Sequence, residues 1–223
     1  MQIGDLKKQF VELQLQHPQL KLQEEKNALI ITGSVKCFRE LDNIPLPIEC
    51  EIRMRVTTNF PLDIPLVWEI SNTIPENYSH YKPGEPLCLG IKTEIAFKIK
   101  KNPTLVFFMN EFVMAYFYSL NFWIIYGRMP FGERSHNNAG IYEFYKDYFF
   151  VNTDKKVDSL LESLVRSSGP ILPNALCPCG SNLPVRLCWH CTLFTVAASE
   201  FECICYQRDK KTLSGQNGGK KHE

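Results

Sequence analysis

The chain has 223 residues, enough for one domain of about 150 residues with its own core and a small appendage. With 25 Lys and Arg against 24 Asp and Glu its net charge is +1, which excludes a global attraction to nucleic acid or an anionic membrane and confines any polyanion binding to a local patch. Nine cysteines, in a chain whose opening MQIGDLKKQF lacks the apolar core and cleavage site of a secretory signal, point to a reducing cytoplasmic compartment without a disulfide framework.

Ile3, Leu6, Phe10 and Leu13 recur at three- and four-residue steps, which predicts an amphipathic helix over the first 16 or so residues, ending before His17-Pro18. NALIITGSV (27–35) suits a strand. In IECEIRMRV, Ile48, Cys50, Ile52, Met54 and Val56 alternate with charged residues, as in a half-buried antiparallel strand, and LVWEI (66–70) supplies another. Three or four strands after one helix predict a meander packed on it. Cys37 and Cys50 fall in these strand patterns and are assigned to structure.

After residue 90 the pattern turns helical. Asn102 can cap and Pro103 can open TLVFFMNEFVMAYFYSLNFWIIY, which ends at Gly127. Its length and apolarity also suit a membrane span. Asn110, Glu111, Ser119 and Asn121 argue for a core helix, since a charged side chain at mid-bilayer costs roughly 2.5 to 3.5 kcal/mol or more. Ile141, Phe144, Tyr145, Tyr148 and Phe149 mark a further helix, and Val157, Leu160, Leu161, Leu164 and Val165 another. The expected class is α+β. The expected organisation is a domain over 1–166, a Pro/Gly/Ser-rich linker over 167–176, a cysteine-rich module over 177–207 and an unstructured tail over 208–223.

Two stretches carry chemistry. In SHYKPGEPLCLG a single cysteine, Cys88, follows the proline-rich FPLDIPLVWEI. A cysteine thiolate accepts an acyl group as a thioester that an amine or another thiol later attacks, which divides one hard step into two. A free thiol with pKa near 8.5 and no fixed base is a restrained nucleophile, as a carrier requires. An imidazole or amide donor beside the thioester would stabilise the tetrahedral oxyanion, by about 2.7 to 4 kcal/mol when well placed. His80 is the nearest candidate by sequence and His136, in GERSHNN, the second. Each has a plainer reading, His80 as a turn residue and 133–136 as a solvated loop closed by local hydrogen bonds.

The order helix, meander, proline-rich loop, cysteine, helices resembles that of the ubiquitin-conjugating enzymes, over roughly residues 1–150. Phe60-Pro61 and Pro65 match the family's aromatic and proline places, and His80, Gly84, Cys88 and Leu89 match its active-site segment, with His80 aligning either with the His or with the Asn of its His-Pro-Asn triplet. PFGERSHNNAGIYEFY (130–145) is similar to the bacterial relatives encoded beside cyclic-dinucleotide synthases in type II (short) CBASS anti-phage operons. The resemblance implies the UBC fold, a thioester at Cys88 and transferase activity on the C-terminus of the partner synthase, which it primes for antiviral signalling.

CPCGSNLPVRLCWHC (177–191) resembles the SEC-C zinc motif, with Gly180-Ser181 where that motif turns. Cys177, Cys179 and Cys188 are the expected ligands, and His190 or Cys191 the fourth. Zinc held by four N or S ligands is structural, with no open position for catalysis, and folds a module too small to fold by burial alone. Cys203 and Cys205, in FECICYQ, suit either a second half-site or a strand with both thiols on one face, the strand being favoured. Gly218-Gly219 is read as part of the tail.

The leading expectation is a thioester carrier. The alternatives are a catalytically idle adaptor of the same fold and a zinc-dependent nucleic-acid-binding protein; the motif around Cys88 speaks against the first and the balanced charge against the second. No Gly-rich phosphate loop appears, so the chain is not expected to activate a carboxylate with ATP itself.

Overall fold

The computed structural model describes residues 1–166, 172–188 and 199–215, without the side chain of Cys37. Residues 167–171 of the expected linker, the candidate ligands His190 and Cys191, and Gly218-Gly219 lie outside the described residues. The class is mixed α+β, and the chain divides into two compact units, Met1–Glu133 and Arg134–Glu223.

In the first unit, α1 (Ile3–Gln16) stops at His17, because the residue before a proline is pushed out of helical geometry. Its Leu6, Phe10 and Leu13 are buried, the stripe that the spacing predicts. An antiparallel meander follows: β1 (Lys21–Glu25), β2 (Ala28–Leu41), β3 (Ile44–Thr57) and β4 (Leu66–Glu69), in that spatial order. β1 was not expected, because KLQEE is an almost wholly exposed edge strand with no apolar alternation to betray it. β2 and β3 also run further than the apolar patterns, joined by Asp42-Asn43, both at positive φ (49° and 61°), as a tight hairpin turn requires. Pro45 and Pro47 hid the start of β3. They are tolerated because β4 pairs only with Ile52–Arg55, which leaves the beginning of β3 as an edge.

One face of the sheet is core: Leu46, Ile48, Cys50, Ile52, Met54 and Val56 are buried, each alternating with an exposed or half-buried neighbour. Cys50 thus sits among core residues, as expected. Gly33 of β2 has a specific cause, since a Cβ there would lie 2.4 Å from the Gln19 carbonyl oxygen in the turn after α1.

α2 (Lys92–Lys101) is a second unexpected element, and Asn102 closes it. The long helix α3 (Leu105–Tyr126) is therefore capped by Thr104, whose side chain accepts from the Phe107 N–H at 3.1 Å, and not by Asn102. It contains a π turn at Met109–Val113 and ends at Gly127 in the left-handed conformation, as predicted. α3 lies on the hairpin: the Tyr118 hydroxyl donates to the Ile44 carbonyl at 3.0 Å, and the Asn121 amide to the Pro47 carbonyl at 2.7 Å. It is the one described helix long and apolar enough to cross a membrane, yet 67% of its most apolar stretch is buried within the protein. It forms the floor of the core.

The second unit holds α4 (Asn137–Phe149), α5 (Asp154–Arg166) and α6 (Glu200–Leu213). The two helices that the sequence reading placed with the first domain therefore belong here. α6 overturns two expectations. FECICYQ is helical, not a strand, and the helix continues through 208–213, where an unstructured tail was expected. Ser199 and Glu202 form a capping box, which starts a helix whatever the alternation that follows. The buried Asp209 accepts from the Tyr145 hydroxyl at 3.0 Å and ties α6 to α4.

Candidate functional site

Beyond β4 the chain runs without helix or strand to α2, and three hydrogen bonds fix its path. The Leu87 N–H donates to the Val67 carbonyl of β4 at 2.7 Å, with the Leu87 side chain buried. The Cys88 N–H donates to the His80 carbonyl at 3.3 Å, and the Tyr116 hydroxyl of α3 donates to that same carbonyl at 3.2 Å. Sheet, loop and core helix are thus joined around His80, and Cys88 itself is exposed. Gly84, between them, turns the chain at φ 80°.

The structure brings His80 and Cys88 together: a ring nitrogen of His80 lies within 4.8 Å of the Cys88 sulfur. Within that limit a proton can pass between the two side chains directly or through one bridging water, and catalytic contacts commonly tighten only when substrate binds. The imidazole is held on two sides. The Tyr78 ring, itself buried, stands 5.7 Å away at a 60° tilt. The Nε2 of His80 meets a carboxylate oxygen of Glu133 at 3.1 Å, and the Ser79 hydroxyl donates to the same oxygen at 2.9 Å. Burial pushes the Tyr78 and Tyr116 phenols well up, with the Glu133 charge adding to the effect on Tyr78. Both are neutral donors at physiological pH.

Glu133 is the residue whose role the sequence analysis did not foresee, since there it counts as part of a loop closed by local hydrogen bonds. It lies 53 positions from His80, in a stretch that reads as a solvated loop, and only the folded chain carries it back to the 79–80 turn. His136 belongs to the second unit, where it is the exposed residue preceding α4. Its neighbours close the loop locally: the Ser135 N–H and hydroxyl donate to Glu143 at 2.9 and 2.5 Å, and Arg134 pairs with Asp147 at 2.9 Å. Those two Ser135 bonds, helped by Arg134, hold the Glu143 carboxyl below the usual range.

The second unit carries the other candidate site. The sulfurs of Cys177, Cys179 and Cys188 lie within 4.8 Å of one another, all three residues buried. Cys179 and Cys188 are 3.5 Å apart, too far for a disulfide and close to the roughly 3.8 Å that two thiolates adopt around a tetrahedral ion with 2.3 Å metal–sulfur bonds. Polar hydrogens converge on the sulfurs: the Cys179 N–H donates to the Cys177 sulfur, and the Ser181 hydroxyl to that of Cys188, each at 3.4 Å. Gly180, at φ 77°, makes the turn, and the Cys177 N–H donates to the Leu183 carbonyl at 2.8 Å, closing a small hairpin beside the bridge of Leu176 with Pro184. Three buried sulfurs so arranged are able to hold a metal ion. The expected candidates for a fourth ligand, His190 and Cys191, lie outside the described residues. In α6, Cys205 is buried and Cys203 half-buried, and neither belongs to this cluster.

No family model, curated protein or solved structure matches the chain. Among the described residues two clusters carry chemistry: Cys88 beside an oriented imidazole, and a buried triad of thiols.

Proposed function

We propose that the protein is a ubiquitin-conjugating-like thioester carrier, with Cys88 as the nucleophile that holds the acyl group. The observation that carries this reading is the exposed residue Cys88, its sulfur within 4.8 Å of an imidazole nitrogen, on a loop pinned to both sheet and core helix. Exposure lets a partner's carboxyl terminus reach the sulfur. The rigid backing keeps the sulfur in place while two macromolecules exchange an acyl group, which is where orientation contributes most to rate. His80 stabilises the tetrahedral oxyanion or relays the proton. The meander on a long helix, with the cysteine loop after the last strand, supports the UBC-like fold that the sequence resembles.

In the same reading the acyl donor is the C-terminus of a CBASS cyclic-dinucleotide synthase, acted on in the bacterial cytoplasm, and the protein primes that synthase for antiviral signalling. Cys177, Cys179 and Cys188 hold a structural zinc with His190 or Cys191. The test is to mix the full chain with its partner synthase and look, on non-reducing gels and by mass spectrometry, for an adduct that thiol reagents release. A missing adduct, together with full defence activity of Cys88→Ala in cells, would replace the carrier with an adaptor.

A further inference from the structure

We propose that Glu133 is a positioning residue for the Cys88 site: its carboxylate orients the His80 imidazole and stabilises its protonated form, so that His80 takes the Cys88 proton as the acyl group arrives. The inference rests on the carrier reading of Cys88 and extends it, because a fixed base was not expected at this thiol.

Three observations carry it. First, a single oxygen of Glu133 receives both the His80 ring and the Ser79 hydroxyl, so the carboxylate is itself oriented and does not merely wave beside the ring. Second, the His80 side chain is 16% exposed and the Glu133 side chain 42%. A pair this open adds about 0 to 1 kcal/mol to stability, so stability alone does not explain why the 127–133 segment returns to meet the 79–80 turn. Third, Tyr78, Tyr116 and Cys88 of this unit also stand against His80. Burial keeps both phenols neutral, whereas Glu133 sets a carboxylate directly against the ring. A carboxylate in contact with an imidazole favours imidazolium, and an imidazolium next to a thiol favours thiolate.

For an acyl donor carried as a thioester the step balances as follows. The Cys88 proton moves to His80, and the Cys88 sulfur attacks the donor carbonyl carbon and forms the new C–S bond. The old C–S bond then breaks, and the departing sulfur keeps the electron pair and takes the proton back from His80. The proton rests on His80 while the sulfur attacks, which is when the Glu133 charge is worth most.

The test follows Cys88 alkylation by iodoacetamide in the full chain, read on the Cys88 peptide by mass spectrometry between pH 5.5 and 9.5, and needs no partner. Glu133→Gln is expected to slow alkylation at pH 7 about tenfold, with the loss fading toward the alkaline end of the profile, where the thiol ionises without help from His80. Glu133→Asp should recover most of the loss. In a His80→Ala background, Glu133→Gln should change nothing further, since the carboxylate acts through the ring. Superimposable profiles for wild type and Glu133→Gln, or an equal loss from Glu133→Gln with and without His80, would overturn the proposal. A circular-dichroism melt of each variant separates unfolding from mispositioning, and the Asp variant decides the matter if Gln does not fold. Should alkylation respond as expected while no thiol-releasable adduct forms with the synthase, the positioning role stands and the carrier reading fails. An adduct together with unchanged alkylation gives the reverse.

Discussion

The main-chain N–H of Cys88 donates to the carbonyl oxygen of His80 at 3.3 Å, so the two residues whose side chains meet at the candidate site are also locked together through their backbones. The Cys88 side chain takes no part in that bond. Cys88→Ala should accordingly keep the fold, with a stability change within about 0.5 kcal/mol as for other exposed positions, while abolishing the thiol-releasable adduct. Cys88→Ser should behave differently, because an oxyester forms less readily and is attacked more slowly, so a stable partner adduct is expected to accumulate. Thermal melts and intact-mass measurements on the three proteins check both statements.

The metal prediction turns on the 3.5 Å separation of Cys179 and Cys188, which suits thiolates sharing one ion. Elemental analysis of protein purified without chelator is expected to give about one zinc per chain. Cys179→Ser should lower that content and cost several kcal/mol in the second unit, since metal-binding energy in so small a module is folding energy. Full zinc in the variant, or a metal-free protein whose 172–188 region resists proteolysis, would show that the three thiols merely pack.

Where a residue's neighbours in sequence are also its neighbours in space, the fold was legible. The stripe of α1, its stop at His17 and the end of α3 at Gly127 are local events, set by side-chain spacing, a following proline and a residue free to take positive φ. β1 and α2 were not legible, because one is an exposed edge and the other a short helix whose polar face dominates its sequence. At the candidate site, Cys88 and His80 lie eight positions apart and could be paired on paper. Glu133 could not, since only the return of the chain after α3 sets it against His80. The error at 203–205 is of another kind: alternating apolar residues fit one turn of helix as well as a short strand, and the decisive partner of Glu202, the capping Ser199, lay outside the window.

Helix α3 is expected to behave as core. Phe117, 3% exposed, should cost about 3 to 5 kcal/mol on replacement by Ala. Tyr118→Phe removes the donor to the Ile44 carbonyl and should cost about 1 kcal/mol. Chemical denaturation of the purified chain measures both. The same preparation should come from the aqueous fraction without detergent, and recovery from membranes alone would mean that α3 had been misread.

Gly33 offers a check on the junction of α1 with the sheet. An alanine there meets backbone 2.4 Å away and must also hold φ at 144°, so neither a rotamer change nor a small side-chain shift relieves it. Gly33→Ala is expected to destabilise the first unit by more than the roughly 1 kcal/mol typical of a point change, while Gly84→Ala, with open space around its Cβ, pays only for its positive φ. Comparable losses in the two variants would contradict this account.

The last prediction concerns acid. His17 closes α1 with a buried ring, and neither ring nitrogen meets a hydrogen-bonding group of the protein among the described residues. Burial lowers its pKa below the ordinary 6.5, since the charged form is the one that loses hydration. The unfolded chain therefore takes up a proton near pH 6.5 that the folded chain still refuses, and stability present above that pH is lost as the pH falls from 6.5 through the lower folded value. One proton sets the slope at about 1.4 kcal/mol per pH unit at most. The backbone role of the residue is separate, its N–H donating to Leu13 at 3.0 Å and its carbonyl accepting from Leu20 at 3.1 Å, so His17→Met should leave the turn intact. Denaturation curves at half-unit steps from pH 7.5 to 4.5 are expected to run parallel above 6.5 and to diverge below it, with the variant losing less. Curves that stay parallel throughout would mean that His17 takes its proton in the folded state as easily as in the unfolded one, and that its burial has no electrostatic consequence.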